Sequence, residues 1–256
     1  MDNQDITKYR NHMVVKHNSL IQKSRHQFTS QQQKAMLYVV SLLRPEQDEF
    51  EWQTFDIVEF CEICGIESDG GKNYKALKDA LQGLSDKSMW ITLEDGTQNL
   101  TRWLQNVQIR PKSGKIAIRI DQALKPYLLH LKSNYTEFQL KHTLAMKSKY
   151  SVRLYEILRS YEDLSQLENI IFTLARLKTN IGADYALWGD FKRRALDPAI
   201  KEINKYSDIY VDYIAFKRGK AFDKIHFSIR KKNEFREQVE TERAIYKRIN
   251  GRNNHT

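Results

Sequence analysis

The chain has 256 residues, of which 41% are hydrophobic and 29% charged, so it can bury a core and wholesale disorder is excluded. Its longest unbroken apolar run, 35–40, is far shorter than the roughly 20 residues that a membrane-spanning helix needs. Cys61 and Cys64 are too few and too close for a disulfide framework. Their scarcity indicates a reducing, cytoplasmic location.

The net charge of +10 lies entirely in the second half of the chain. Residues 1–122 hold 16 basic and 16 acidic side chains, whereas residues 123–256 hold 26 basic and 16 acidic ones. Residues 46–71, by contrast, contain nine acidic side chains and no Lys or Arg. This asymmetry is typical of a protein whose C-terminal half lies on phosphates. A basic surface that contacts only solvent would give the same numbers of charged residues, and it is the alternative interpretation.

In the first half, the spacing of apolar residues predicts three helices followed by two strands. The helices are expected at 31–43, 56–64 and 73–84, and the strands at 89–93 and 115–120. Gly65 stands where the second helix should stop, and Ser113 and Gly114 form a turn before the last strand. Residues 124–131 and 135–145 also show helical spacing, which predicts a semi-rigid helical connection to the second half.

The second half repeats this order of elements. Helices are expected at 150–161, 174–179 and 191–206, strands at 209–216 and 224–229, and a charged terminal helix or tail at 234–249. A shift of 117 positions places Phe55 on Phe172 and Gly65 on Gly182. A short helix, a tight turn, a second helix and a hairpin describe a winged helix-turn-helix.

We therefore predict an α+β chain of two tandem winged helix-turn-helix domains related by internal duplication. The predicted divisions are 1–122 for the first domain, 123–134 for the helical connection, 135–232 for the second domain and 233–256 for a basic charged tail.

Three patterns that could carry enzyme or cofactor chemistry are weak. Cys61 and Cys64 have the spacing of half a zinc site, but no second pair of cysteines exists, so a packed helix end is favoured. Residues 65–73 are out of register for a P-loop and lack the Ser or Thr after its lysine. The thirteen tyrosines offer nominal nucleophiles for a nicking enzyme, but most lie at core or surface spacing. We predict no catalytic activity, no cofactor and no metal.

Three consecutive basic residues, 192–194, fall in what we predict to be the first turn of the third helix of the second domain, with Asp190 as its cap. Cations oppose the helix dipole there, so a compensating partner is expected. Pro198 predicts either a kink or a fresh helix capped by Asp197. The leading end of such a helix is the part that enters the DNA major groove, where Arg binds guanine O6 and N7. A solvated basic turn is the alternative.

The hairpin tip of the second domain carries Lys217, Arg218 and Lys220 around Gly219. This composition favours a clamp on DNA phosphates, and a polar hairpin tip is the alternative reading.

Segments 148–156, 191–204, 216–220 and 225–229 resemble the iteron-binding plasmid replication initiator family, and a weaker similarity extends the match to about 28–230. The resemblance implies two winged-helix domains that bind direct repeats at a plasmid origin, recruit host replication proteins and have no catalytic activity. It also implies a monomer that acts at the origin, in equilibrium with a homodimer formed largely through the first domain, which represses its own promoter at an operator.

The resemblance assigns base readout to Lys192, Arg193 and Arg194. It assigns a second, weaker contact helix to Lys72, Asn73, Lys75 and Lys78. The partners expected are thus double-stranded DNA and host replication proteins, without a membrane. The acidic stretch 46–71 has no counterpart in this account and is interpreted as a surface for dimer or host-protein contacts. A winged-helix transcriptional regulator without an initiator role is the alternative function.

Overall fold

The computed structural model describes residues 12–25, 27–66, 73–92, 96–161 and 170–232. Over these ranges the chain forms two winged-helix domains in tandem, built from helices and short antiparallel strands, which confirms the predicted fold class. None of the helices in these ranges is both long and apolar enough to cross a membrane.

The first half contains ten elements: β1 (Met13–His17), α1 (Asn18–Lys23), α2 (Ser30–Ser41), β2 (Gln53–Asp56), α3 (Ile57–Cys64), α4 (Asn73–Ser85), β3 (Ser88–Thr92), β4 (Gln98–Arg102), β5 (Leu104–Arg110) and β6 (Lys115–Ile120). The three predicted helices are present as α2, α3 and α4. A capping box between Thr29 and Gln32 starts α2. Gly65, with a φ of 67°, ends α3 in the left-handed conformation that glycine adopts without strain.

The predicted helical connection is wrong. Residues 124–145 contain only the short helices α5 (Lys125–Leu128) and α6 (Lys141–Leu144), with the strand β7 (Tyr135–Gln139) between them. His130 and Asn134 both have a φ of 53°, which interrupts any helix. In β7, Thr136 and Phe138 are buried while their neighbours are more exposed, which is the period of a strand.

The second half contains α7 (Lys149–Arg159), β8 (Ile170–Thr173), α8 (Leu174–Ile181), α9 (Trp188–Phe191), α10 (Asp197–Tyr206), β9 (Ile209–Arg218) and β10 (Ala221–Lys231). A π-helical turn, Lys192–Leu196, joins α9 to α10. The predicted helices and the hairpin around Gly219 are confirmed. Gly182 ends α8 with a φ of 67°, as Gly65 ends α3.

The two halves share one sheet topology, which supports the internal duplication. One three-stranded sheet has the order β2-β6-β5 and the other β8-β10-β9, so the short strand before the second helix occupies the same edge in both. Neither of these short strands was predicted. The predicted hairpin of strands 89–93 and 115–120 is also wrong, because β3 pairs with β4, and β6 pairs with β5 and β2. The exposed Gln105, Asn106 and Gln108 make β5 too polar to be recognised from hydrophobic alternation.

The two halves are not separate globules, because a single hydrophobic core runs through both. β1 of the first half pairs with β7 over five residues, and α7 packs on both α2 and α10. Arg153 of α7 is 2% exposed and donates hydrogen bonds to the carbonyls of Ile21 (2.7 Å), Ser24 (3.0 Å) and Asn180 (3.0 Å). One buried guanidinium therefore links α1, the residue after it and α8.

A second buried charge on α7 also faces the first half. Glu156 accepts a hydrogen bond from Lys16 of β1, and both side chains are almost fully buried. The Lys16 ammonium also lies 5.4 Å from the centre of the Trp103 ring. Burial lowers the pKa of Lys16, and the Glu156 carboxylate opposes that shift.

The start of α7 is held by α10. Glu202 of α10 accepts hydrogen bonds from the backbone N–H of Lys147 (3.1 Å) and Ser148 (3.1 Å) and from the hydroxyl of Ser151 (2.6 Å). The N–H of Ser148, the N-cap residue, is one of the donors that a helix start leaves unsatisfied. The Glu202 charge also opposes the lowering of the Lys34 pKa that burial causes, so it faces α2 as well.

Several predicted features lie outside the described residues, namely Lys72 and the tail 233–256. The divisions at 122 and 135 stay a prediction.

The buried pair between Lys16 and Glu156 generates a stability prediction. Glu156→Leu should lower the free energy of unfolding by about 3–5 kcal/mol, because it leaves a buried ammonium without its partner. The double variant Lys16→Met/Glu156→Leu should recover most of that loss, since it removes both charges and fills the space. Urea unfolding of the three chains measures this. A double variant no more stable than Glu156→Leu would contradict the argument.

Candidate nucleic-acid interface

The third helical segment of the second domain, α9 to α10, presents a basic outer face because its apolar face is fixed in the core. Five of its side chains are fully buried: Phe191, Ala195, Leu196, Ala199 and Ile203. Lys192, Arg193 and Arg194 consequently point outward, and Lys201 is exposed about two turns further on. The structure thus brings the three predicted base-reading residues together on one exposed turn. Lys201 was not predicted, although its spacing from the basic turn could have indicated it.

The prediction that residues 192–194 occupy the first turn is wrong, since the helix starts earlier, at Trp188. Asp190 therefore lies in the first turn instead of capping it. Its Oδ1 lies 3.0 Å from a terminal nitrogen of Arg193 and 3.5 Å from Nε of Arg194. The expected compensation for the basic turn thus comes from this carboxylate within the same helix.

Pro198 does not end the helical segment. The backbone stays helical from Phe191 to Asp197, and the N–H of Asp197 bonds to the carbonyl of Lys192 across the π turn. Because a proline lacks an N–H and its ring clashes with the carbonyl four residues earlier, the wider turn relieves the contact with Arg194. Asp197 has helical dihedrals itself, so it does not cap a fresh helix as predicted.

The wing of the second domain is the hairpin of β9 and β10. Lys217 and Arg218 end β9, the turn is Gly219 and Lys220, and all four are exposed. The Lys217 ammonium lies 5.0 Å from the ring centre of Phe222, and the Arg218 side chain is 87% exposed. The three predicted clamp residues therefore share one exposed tip, where the Arg218 Nε also lies 4.0 Å from Oδ2 of Asp223.

The wing is joined to the start of the helix by aromatic contacts. The Trp188 and Phe222 rings stack with centroids 4.5 Å apart and an interplanar angle of 25°. Trp188 also contacts Phe191, which anchors this stack to the core. Helix and wing are thereby held in a fixed relative position.

In the first domain, α4 is the equivalent of α9 and α10. Lys75 and Lys78 are exposed on it, as predicted, whereas Lys72 and the side chain of Asn73 lie outside the described residues. Lys78 lines a shallow groove together with Gln82 of α4 and with Gln105 and Asn106 of β5. This face is less basic than its counterpart and richer in amides, which bind adenine edges well.

The first domain also has a basic wing tip that the sequence analysis missed. Arg110 ends β5, Lys112 lies in the turn, and both are exposed. Gly114, with a φ of 63°, closes the turn before β6, as Gly219 does at 65° in the second wing. The Ser113 and Gly114 signal was recognised, but β5 was not, so the tip could not be identified as a wing.

Two models of one protein family match the chain. The model described as "Initiator Replication protein, WH1" covers residues 13–159, and that described as "Initiator Rep protein, WH2" covers residues 173–229. The chain belongs to the initiator replication protein family. This confirms the resemblance found in the sequence. The first model extends through α7, which is grouped with the second half above.

Curated Escherichia coli proteins are similar to this chain. The chain is 25% identical to the PI protein over 188 residues, which is 62% of the chain and 60% of the relative. It is 26% identical to a replication initiation protein over 219 residues, which is 80% of the chain and 66% of the relative. The chain thus matches less than two thirds of the length of either relative.

A solved structure shares the fold of this chain. It is the crystal structure of the Pi initiator protein in complex with iteron DNA, which aligns with a TM-score of 0.68 at 17% identity. The alignment covers 85% of this chain and 96% of that chain. Both winged-helix domains are therefore present in that structure in a similar arrangement.

The two cysteines of the chain fit a structural role. Cys61 and Cys64 are buried, and burial raises the pKa of both thiols. Within the part of the chain that the structure describes, no group of three His, Cys, Asp or Glu side chains is placed to hold a metal ion.

The hydroxyl of Tyr213 generates a pH prediction. It donates a 2.6 Å hydrogen bond to Oδ1 of Asp197, and burial, with help from this bond, raises the pKa of Tyr213. The folded chain therefore keeps a proton that the unfolded chain loses near pH 10, so this stabilisation is complete below about pH 10 and is lost as the pH rises further. Tyr213→Phe should make stability fall less steeply from about pH 9 to 11. Urea unfolding across this range measures the slopes, and parallel curves for the two chains would refute the assignment.

Proposed function

We propose that this protein initiates plasmid replication by binding direct repeats at the replication origin and recruiting host replication proteins there. The observation that carries the proposal is the pairing, in each of two duplicated domains, of an exposed basic helix with a basic wing tip. Membership of the initiator replication protein family supports it. The Pi initiator protein, whose structure holds iteron DNA, has the same two-domain fold. The proposed setting is the cytoplasm, where both origin DNA and host proteins are found.

The two halves carry different residues on their DNA-contacting helices, and this difference favours binding of a monomer to a direct repeat. The second domain offers Lys192, Arg193 and Arg194, whereas the first offers Lys75 and Lys78 beside amide side chains. Two different contact helices favour an asymmetric site, and asymmetric sites can be arrayed head to tail. A homodimeric regulator would instead favour an inverted repeat that mirrors its two-fold axis.

Within this proposal the helix and the wing have different roles. The turn at 192–194 contacts bases, because it lies on the face of the helix that enters the major groove. Lys217, Arg218 and Lys220 contact phosphates, and Arg110 and Lys112 do the same in the first domain. Lys72, Asn73, Lys75 and Lys78 make the weaker second helix contact.

These roles predict different effects of substitution. Arg193→Ala or Arg194→Ala should each cost up to about 1–3 kcal/mol and relax the preference at one base position, if that side chain makes a bidentate base contact. Lys217→Ala, Arg218→Ala or Lys220→Ala should weaken binding to all sequences alike and reduce the salt slope by about one per lost phosphate contact. Fluorescence anisotropy against matched and mismatched duplexes at several salt concentrations measures both effects.

Lys132→Ala provides the control, because it removes an exposed charge outside helix and wing. If variants of the 192–194 turn keep the wild-type base preference, this turn does not read bases.

We further propose that the first domain mediates a homodimer, in equilibrium with the monomer, that represses the protein's own promoter. Its β3 and β4 hairpin has two large apolar side chains directly opposite each other, Trp90 and Leu100, which are 52% and 57% exposed. An exposed apolar pair on a two-stranded sheet is a surface that a second copy can cover.

Leu100→Glu should therefore shift the equilibrium toward monomer, because it places a charge in the proposed interface. Ile171→Glu is the matched control, since Ile171 is 53% exposed on the second domain. Analytical ultracentrifugation over a range of concentrations measures the dissociation constant. A dimer that is equally stable in both variants would exclude this interface.

Replication itself is tested with a circle that lacks its own origin. The gene and the repeat array are placed on that circle, and maintenance of the circle in dividing cells is expected only when both are present. Repression of the promoter without maintenance would identify the protein as a transcriptional regulator. Cleavage of supercoiled DNA in the presence of a divalent metal would identify a nicking enzyme.

A further inference from the structure

A carboxylate lies in the middle of the basic face of the helix in the second domain. Asp197 is 43% exposed at its side chain and lines one shallow depression with Gly189, Lys192, Arg193, Pro198 and Lys201. On a surface that approaches phosphates, a negative charge weakens binding to every DNA sequence. We therefore expect a favourable contact with DNA that offsets this loss of binding affinity.

The carboxylate of Asp197 is held from two sides. Its Oδ2 lies 2.6 Å from the Lys192 ammonium, and its Oδ1 accepts the 2.6 Å hydrogen bond from Tyr213 of β9. The π turn makes the first contact possible, because residues five apart lie on the same side of such a turn. Each carboxylate oxygen has a second acceptor site, so both oxygens can accept one more hydrogen bond.

Asp190 has a different environment. Its carboxylate lies against Arg193 and Arg194, and it is absent from the residues that line the depression. Asp190 thus serves as a counter-ion for Arg193 and Arg194, whereas Asp197 lines the exposed depression. The two acidic residues of this segment are distinguishable by position.

We infer that Asp197 is a specificity-determining residue that accepts a hydrogen bond from the amino group of a cytosine in the major groove. This inference rests on the proposed function, since it requires the helix to lie in that groove. Cytosine presents its N4 amino donor there, and an acidic side chain is the matching acceptor. Adenine also presents an amino group, but its N7 acceptor lies beside it and repels a carboxylate.

The fixed geometry of Asp197 makes it suited to this role. Since Lys192 and Tyr213 already restrict its rotamers, little conformational entropy remains to be lost on binding. The Lys192 ammonium beside it can bind guanine O6 or N7, so the pair presents a donor and an acceptor side by side. The negative charge of Asp197 then weakens binding to most DNA sequences but strengthens binding to sites that have cytosine in the correct position.

The test is selection of binding sites by the full chain from a pool of random duplexes, followed by sequencing. Wild-type sites should contain one position that is strongly cytosine. Asp197→Asn should reduce the preference for cytosine there by about 5- to 150-fold, with adenine gaining, because an amide binds adenine N6 and N7. Its affinity for unselected duplex should rise, because a repelled charge is gone.

Asp212→Asn is the control, since it removes the same charge from an exposed position on β9, and it should keep the cytosine preference. If Asp197→Asn does not fold, Asp197→Ala replaces it, because residue 197 has helical dihedrals and alanine favours a helix while it removes the acceptor. Thermal unfolding checks both variants.

The outcomes separate this inference from the proposed function. A wild-type chain that enriches no sequence overturns both. A wild-type chain with clear preferences and an Asp197→Asn variant with the same preferences overturns only the role of Asp197. A uniform loss of affinity, without a change at one base position, would assign Asp197 a purely structural role and also overturns the inference.

Discussion

The buried polar side chains of α7 are the constraint on which the arrangement of the two halves depends. Arg153 donates to carbonyls on both sides of the helix, and Glu156 is paired with Lys16 of β1. Charges that are so deeply buried are tolerated only with partners in place. Each partner lies in a different part of the chain, so the two winged-helix domains adopt the relative position that satisfies them all.

This constraint distinguishes the protein from two domains on a linker. With a flexible linker, the two DNA-contacting helices would move independently of each other. Fixing their relative position on DNA would then cost conformational entropy and weaken binding. Here the continuous core and the pairing of β1 with β7 keep α4 and α10 in a fixed relation before any ligand is present. A rigid tandem of unequal helices is consistent with the proposed asymmetric repeat.

Much of the fold could be predicted from the sequence, because its local signals are strong. Helical periodicity located α2, α4 and α7, and the glycines at 65 and 182 marked the ends of two helices. The strands β1 and β7 could not be predicted in this way, because each is short and its partner is more than one hundred residues distant. β5 could not be recognised from the sequence either, because its polar side chains interrupt the alternation of apolar residues.

The candidate site was predictable in its charges but not in its geometry. The basic turn at 192–194 and the wing at 217–220 stand out in composition. The ring stack of Trp188 on Phe222 and the hydrogen bond from Tyr213 to Asp197 join the helix to the hairpin that follows it, and no periodicity within either segment indicates them. The π turn was not predicted either, although Pro198 is a local signal beside it. The first wing was missed for the same reason as β5.

Glu202 belongs to the same helix as the basic face, yet its carboxylate satisfies the N-terminus of α7. These contacts lie within the second half, and the Glu202 charge also opposes the lowering of the pKa of the buried Lys34 on α2. A movement of α10 that displaced this carboxylate would leave the donors at the start of α7 without their acceptor and would remove a negative charge from the surroundings of Lys34. The helix that carries the basic face is therefore coupled to the first half through one carboxylate.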